Sequence, residues 1–293
     1  MSARTEEPPC RLSAAPGPDL VVRDIRGPAE MASCVDLYND VMGLRPDDGS
    51  INPRLLIALQ ANSGIVVGAY TGAELVGFTY SFLAREDAPA HRVYQYSQLA
   101  VVAREHQGRK VGRRLKLAQR ARCLAEGTTL IRWAFDPLKT RNAPFNLDVL
   151  GGRVTGLVPA MYGTGGFGTD AGETTDRFIV DWDLEEPTPA GPSAPVPAEP
   201  DWAPGQVHCQ GDDRLVVLPD DWQRYRSRVG VAAAAELRDG LRRSFTELLD
   251  ERVAVSCARI GGGLAAYRFR TDRSQHTYYS HHSHHSHHSH QES

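Results

Sequence analysis

The stretch over residues 97–127, SQLAVVAREHQGRKVGRRLKLAQRARCLAEG, constrains this chain most, because it joins an apolar strand to a cationic turn and an amphipathic helix. Residues 99–103 form an apolar run suited to a buried strand. Val111, Leu115, Ala118, Ala121 and Leu124 then recur at helical spacing, and Arg113, Lys116 and Arg120 fall on the other face. Between strand and helix lies Gln107-Gly108-Arg109-Lys110-Val111-Gly112, where small residues let backbone N–H groups turn toward a ligand at the positive end of the helix dipole. Phosphate is the natural guest of such a turn.

The rest of the chain supplies the setting. Residues 1–19 carry four prolines and few large apolar groups and are expected to be a disordered leader. A strand is predicted over 20–26, then a helix carrying Met31, Cys34, Leu37, Tyr38 and Val41 that stops at Gly43, then a short helix over 54–61. Strands are predicted over 65–70 and 74–85, separated by Thr71-Gly72-Ala73, and over 91–103. After the central helix come a strand over 130–135, a short helix over 142–150 ending at Gly151-Gly152, and strands over 154–162 and 177–182. The loop over 163–172 matches GxGxxG letter for letter, yet it leads to a strand and not to a helix, which the dinucleotide fingerprint requires. It is read as an active-site loop.

The central motif and the element order together resemble the GNAT superfamily of acyl-CoA-dependent N-acyltransferases, whose signature is Arg or Gln, two residues, Gly or Ala, one residue, Gly or Ala. Gln107 and Gly112 match, whereas Lys110 stands where that signature has a small residue. The resemblance implies an α+β, three-layer fold with a mixed, mostly antiparallel central sheet flanked by helices. It implies acetyl-CoA or another acyl-CoA as cosubstrate, with Ala100, Val101 and Val102 offering backbone groups to the pantetheine arm. Gln107, Gly108, Arg109, Lys110, Val111, Gly112 and Arg113 would hold the pyrophosphate, and Asn142 would lie near the pantetheine. The acceptor would be an amine of a small molecule or peptide, attacking the thioester directly. Many such enzymes place a Tyr, the donor to the departing thiolate, four residues before a Gly; here Gly151 puts Leu147 in that slot. Tyr96, on the strand before the turn, and Asp136, at the end of the next strand, are the candidates for proton work. Each has an alternative, Tyr96 as a core or rim residue and Asp136, before Pro137, as a turn former.

Charge and cysteines narrow the classes. A net charge of −3 with a sequence pI near 6.4 disfavours a nucleic-acid partner for the basic run 104–122, within which no aromatic residues interleave as a stacking surface requires. The five cysteines form no CxxC pair and suggest a reducing cytoplasm with no metal site. No apolar run approaches the ~20 residues of a membrane helix. The remaining alternative is a catalytically silent acyl-CoA-binding module, consistent with Leu147. The expected organisation is a leader over 1–19, an acyltransferase domain over 20–184, a Pro-rich linker over 185–205, a small αβ unit over 206–272 and a His-rich tail over 273–293. In the small unit a strand over 214–218, a helix over 231–252 striped with Leu237, Leu241, Phe245 and Leu248, and a strand pair over 253–259 and 265–269 are predicted. Below ~70 residues a lone core is marginal, so this unit is expected to dock on the first. Seven of the eleven histidines lie between His281 and His290, in a tail open to three readings: metal chelation, a polar disordered segment or an affinity tail.

Overall fold

The computed structural model describes residues 20–44, 50–163, 174–187 and 201–271. The leader, the glycine loop beyond Gly163, most of the linker and the histidine tail lie outside the described residues. The chain begins with β1 (Leu20–Asp24), α1 (Gly27–Met42), α2 (Pro53–Ala61), β2 (Ile65–Thr71), β3 (Glu74–Arg85) and β4 (Val93–Val102). It continues with α3 (Val111–Ala125), β5 (Leu130–Phe135), a π-helical turn (Phe145–Val149), β6 (Arg153–Val158) and β7 (Arg177–Asp183). Local chemistry accounts for the boundaries. Proline stands in the first turn of α1 and of α2, Asn52 Oδ1 accepts from Arg54 N at 2.9 Å, and Gly43 ends α1 at φ +66°.

The first seven strands make a mixed sheet in the order β1-β2-β3-β4-β5-β7-β6. Alternation along the strands sends side chains to two cores. Val66, Phe78 and Val101 meet Met31, Cys34 and Leu56 beneath α1 and α2. Ile65, Val67, Val76, Ile131 and Trp133 meet Val111, Leu115 and Cys123 of α3 on the other side. The class is the expected one: α+β, a mostly antiparallel sheet between helical layers. Among the described residues the parallel pairing is β4 with β5, and it is short, limited to Gln95↔Ile131 and Tyr96↔Arg132. Beyond Tyr96 the two strands part.

The C-terminal unit enlarges the same sheet. Its elements are β8 (Val207–Gln210), β9 (Asp213–Pro219), α4 (Trp222–Val229), α5 (Val231–Leu249), β10 (Arg252–Gly261) and β11 (Leu264–Thr271). β10 pairs with β6 at Ala254↔Val154, giving an eleven-stranded order that ends β6-β10-β11-β9-β8. Phe245 of α5 meets Phe178 of β7 edge to face at 4.8 Å, and Phe178 in turn meets Tyr267 of β11 at 5.3 Å, so the core on the α3 side is continuous across both parts. Among the described residues no helix is long and apolar enough to cross a membrane.

Several expectations shift. The strand expected over 154–162 stops at Val158, and the short helix expected over 142–150 forms as the π-helical turn. α5 ends at Leu249, and the sequence reading missed β8 and α4. α4 escaped notice because WQRYRSRV has almost no apolar stripe; Asp221 caps it by accepting from Arg224 N at 3.0 Å.

Candidate active site

The parting of β4 and β5 opens a cleft of about 810 Å³ between α3 and the π-helical turn. β4 carries one extra residue there: Ser97 faces Ser81 and Leu99 faces Tyr80, leaving Gln98 as a bulge against β3. Such a bulge bends a strand and increases its twist, which helps β4 leave β5. The cleft runs from the apex, where Ser97 and Trp133 follow the last paired residues, to the start of α3.

Two left-handed residues, Gly108 at φ +75° and Lys110 at φ +64°, shape the turn between β4 and α3. Such turns gather backbone N–H groups into an anion-binding concavity, and the first-turn amides of a helix have no intrahelical acceptor. Gln107 Nε2 braces the turn by donating to the Val102 carbonyl at 3.1 Å. The first turn of α3 holds no acidic residue, and Lys110, Arg113 and Arg114 cluster there. Positive charge at a helix N-terminus opposes the dipole and costs stability in an unliganded protein; an anion reverses the sign of that term.

The cleft can take an elongated anionic ligand. A Cβ placed on Gly112 would come no nearer than 3.7 Å to Phe145 and 3.9 Å to Val102, so the missing side chain leaves open space between them. The buried indole N–H of Trp133 has no hydrogen-bond partner among the described residues, and Asn146 also lines the wall.

The residues singled out from the sequence divide as follows. Ala100, Val102, Gln107, Gly108, Lys110, Val111, Gly112 and Arg113 border the cleft, as does Asn142, whose backbone N–H donates to the Lys139 carbonyl at 2.9 Å. Val101 does not, because alternation buries its side chain in the α1/α2 core. Arg109 is exposed and lies outside the lining. Tyr96 sits on the face opposite Ser97, packed at 5.4 Å against Phe82, at the apex but not in the cleft. Asp136 turns away: its Oδ1 accepts from Leu138 N at 2.8 Å, and it borders a neighbouring cavity of about 600 Å³ shared with Trp222 and Arg238. That hydrogen bond is the geometry of the turn-forming alternative. Leu147 is buried in the core, and no hydroxyl occupies its slot.

Lys116 went unrecognised as a site residue. It lies on the face opposite the apolar stripe, yet it is buried, with Nζ donating to Ser97 Oγ at 2.7 Å. The missed signal was its spacing of four from Gly112, which places both on one side of α3. Buttresses from the C-terminal unit also went unseen. Tyr267 Oη donates to the Pro137 carbonyl at 2.9 Å, and Thr140 Oγ1 donates to the Asp220 carbonyl at 2.8 Å, fastening the segment that carries Asn142.

No protein-family model matches the chain, and no curated protein does. Among solved structures it is similar to yncA of Salmonella typhimurium, determined with its cofactor acetyl-CoA, at 17% identity and a TM-score of 0.46 over 60% of this chain and 98% of that one. It is similar to an acetyltransferase of the GNAT family from Streptococcus pneumoniae at 14% identity and a TM-score of 0.44, over 56% and 98% of the two chains. The ribosomal-protein-S18-alanine N-acetyltransferase from Escherichia coli gives 11% identity and a TM-score of 0.44, over 61% and 100%. The functional reading stands on the cleft itself.

Proposed function

We propose that the cleft binds acetyl-CoA or another acyl-CoA, and that residues 20–184 act as a GNAT-type N-acyltransferase on an amine of a small molecule or peptide. The observation that carries this reading is the opening of β4 from β5 onto the first-turn amides of α3, bordered by Lys110 and Arg113. An extended donor with an anionic pyrophosphate suits that shape: main-chain groups on the free edge of β4 pair with its amide arm, and the turn over 107–113 holds its phosphates. The donor supplies an activated thioester carbonyl. The chain must orient it, hold the oxyanion, take a proton from the attacking amine and return one to sulfur. Tyr96, at the apex on the far face, is the residue we assign to the acceptor side.

The cytoplasm is the proposed compartment. Cys34, Cys123, Cys209 and Cys257 are free thiols, as a reducing environment maintains them. The test is incubation of the full chain with acetyl-CoA and a library of amines, reading free thiol and product mass. Acyl transfer to at least one amine is expected. Binding of CoA without turnover on any amine would establish the second reading, a silent acyl-CoA-binding module, which the buried Leu147 favours. Absence of binding would overturn both.

A further inference from the structure

α3 carries a buried cation that the scheme above leaves without a task. Lys116 lines the cleft at 4% exposure, its Nζ 2.7 Å from Ser97 Oγ and 3.4 Å from Gln119 Oε1. The same nitrogen lies 4.4 Å from the centre of the Trp133 ring. Ser97 of β4 and Trp133 of β5 are the residues directly past the last paired positions, so Nζ stands at the apex, where a ligand entering from the start of α3 would end.

Its surroundings set its acidity. From β4 it faces Ser97, from β5 the Trp133 ring, and from its own helix Gln119 and Cys123. Among the described residues no carboxylate forms an ion pair with it, and burial keeps the Cys123 thiol protonated, its pKa pushed up to about 12. Burial accordingly draws the lysine pKa down to about 7. A lysine of ordinary pKa, about 10.4, keeps its proton against a thiolate of about 8.5, whereas one near neutrality yields it. The slot that a thiol-protonating tyrosine would occupy holds Leu147.

Resting on the acyl-CoA reading, we propose that Lys116 is the catalytic acid that protonates the departing CoA sulfur, with Ser97 and the Trp133 ring fixing Nζ at the apex. The acceptor nitrogen bonds to the carbonyl carbon, the C–S bond breaks with its electron pair going to sulfur, and one ammonium proton passes from Nζ to that sulfur. The acceptor nitrogen loses its extra proton to solvent, and Lys116 regains one from the same source. No oxidant or third reactant enters.

The experiment follows the ultraviolet absorbance of thiolate while CoA bound to the full chain is titrated from about pH 6 to about pH 10. A lysine ammonium beside sulfur makes bound CoA ionise at least about tenfold more readily than CoA bound to Lys116→Met or Lys116→Gln, about one pH unit. Ser97→Ala, which removes only the hydroxyl holding Nζ, is expected to give an intermediate shift and keeps the test open if the lysine variants fold poorly. Desulfo-CoA, lacking the sulfur, should bind all four chains alike. Identical thiol ionisation in all of them would overturn the assignment, as would acyl groups accumulating on Lys116 Nζ, which would make it a nucleophile. Failure of both CoA and desulfo-CoA to bind the unaltered chain would overturn the acyl-CoA reading itself, and the proposal with it.

Discussion

Replacing Lys116 by Met should change the pH dependence of stability in a calculable way. The folded pKa of Lys116 is about 7, lowered by burial, while the unfolded chain returns it to about 10.4. Between those values the unfolded state binds more protons, so stability rises with pH across that window and is lowest below pH 7. The full penalty is roughly 5 kcal/mol near pH 6, and about 2 kcal/mol of it remains at pH 9, a rise of nearly 3 kcal/mol carried by one side chain. Lys116→Met removes that rise. It also strands the Ser97 hydroxyl and the Gln119 carbonyl oxygen, each costing ~1–3 kcal/mol. Against the gain of roughly 5 kcal/mol near pH 6 those losses sum to ~2–6 kcal/mol, so the net lies between a gain of about 3 and a loss of about 1 kcal/mol, and the difference in slope is the cleaner readout. Urea denaturation of both chains at several pH values measures it. Parallel stability curves for the two chains would refute the argument, because they would mean that Lys116 stays charged in the folded state.

Three further outcomes are expected. Lys110→Gly relieves a left-handed residue at φ +64°, worth ~1–2 kcal/mol, against ~0.4–1 kcal/mol of added unfolded-state entropy; thermal melts should show unchanged or slightly raised stability. Calorimetry on the same variant should show CoA binding retained, with any loss shrinking at high salt as an exposed contact does. Tyr267→Phe leaves the Pro137 carbonyl without its buried donor, which should cost ~1–3 kcal/mol in a single unfolding transition, read by calorimetric melting, because one core spans both parts of the sheet.

Much of the fold was legible because its elements carry local signals. Gly43, Asn52-Pro53 and the Gly72 turn mark boundaries by backbone chemistry that needs no tertiary context, and β2 and β3 form where those signals put them. What escaped was set by distant pairing. Nothing near Ala254 announces that β10 will pair with β6, and nothing near Arg177 announces that β7 will enter between β5 and β6. The site shows the same division. The turn over 107–113 was readable because glycine, charge and helix onset are local properties. The burial of Lys116 was not legible, because a lysine in a polar stripe is ordinarily solvated, whereas α3 is covered on two sides: Leu115 meets the sheet, and Lys116 meets the apex of the cleft. For Asp136 the sequence located the residue at the end of a strand but not the cavity that its side chain borders.

Calorimetric titration of CoA into the full chain and into Gly112→Val tests the central claim most directly. The variant should fold, because a Cβ at Gly112 meets Phe145 no closer than 3.7 Å and the helix gains from losing a glycine. Its added methyl groups should fill the space in front of the first-turn amides, lowering affinity by about tenfold or more, at least ~1.4 kcal/mol. A folded Gly112→Val chain that binds CoA as tightly as the unaltered protein would contradict the account, since the ligand would then lie elsewhere than in the cleft between β4 and β5.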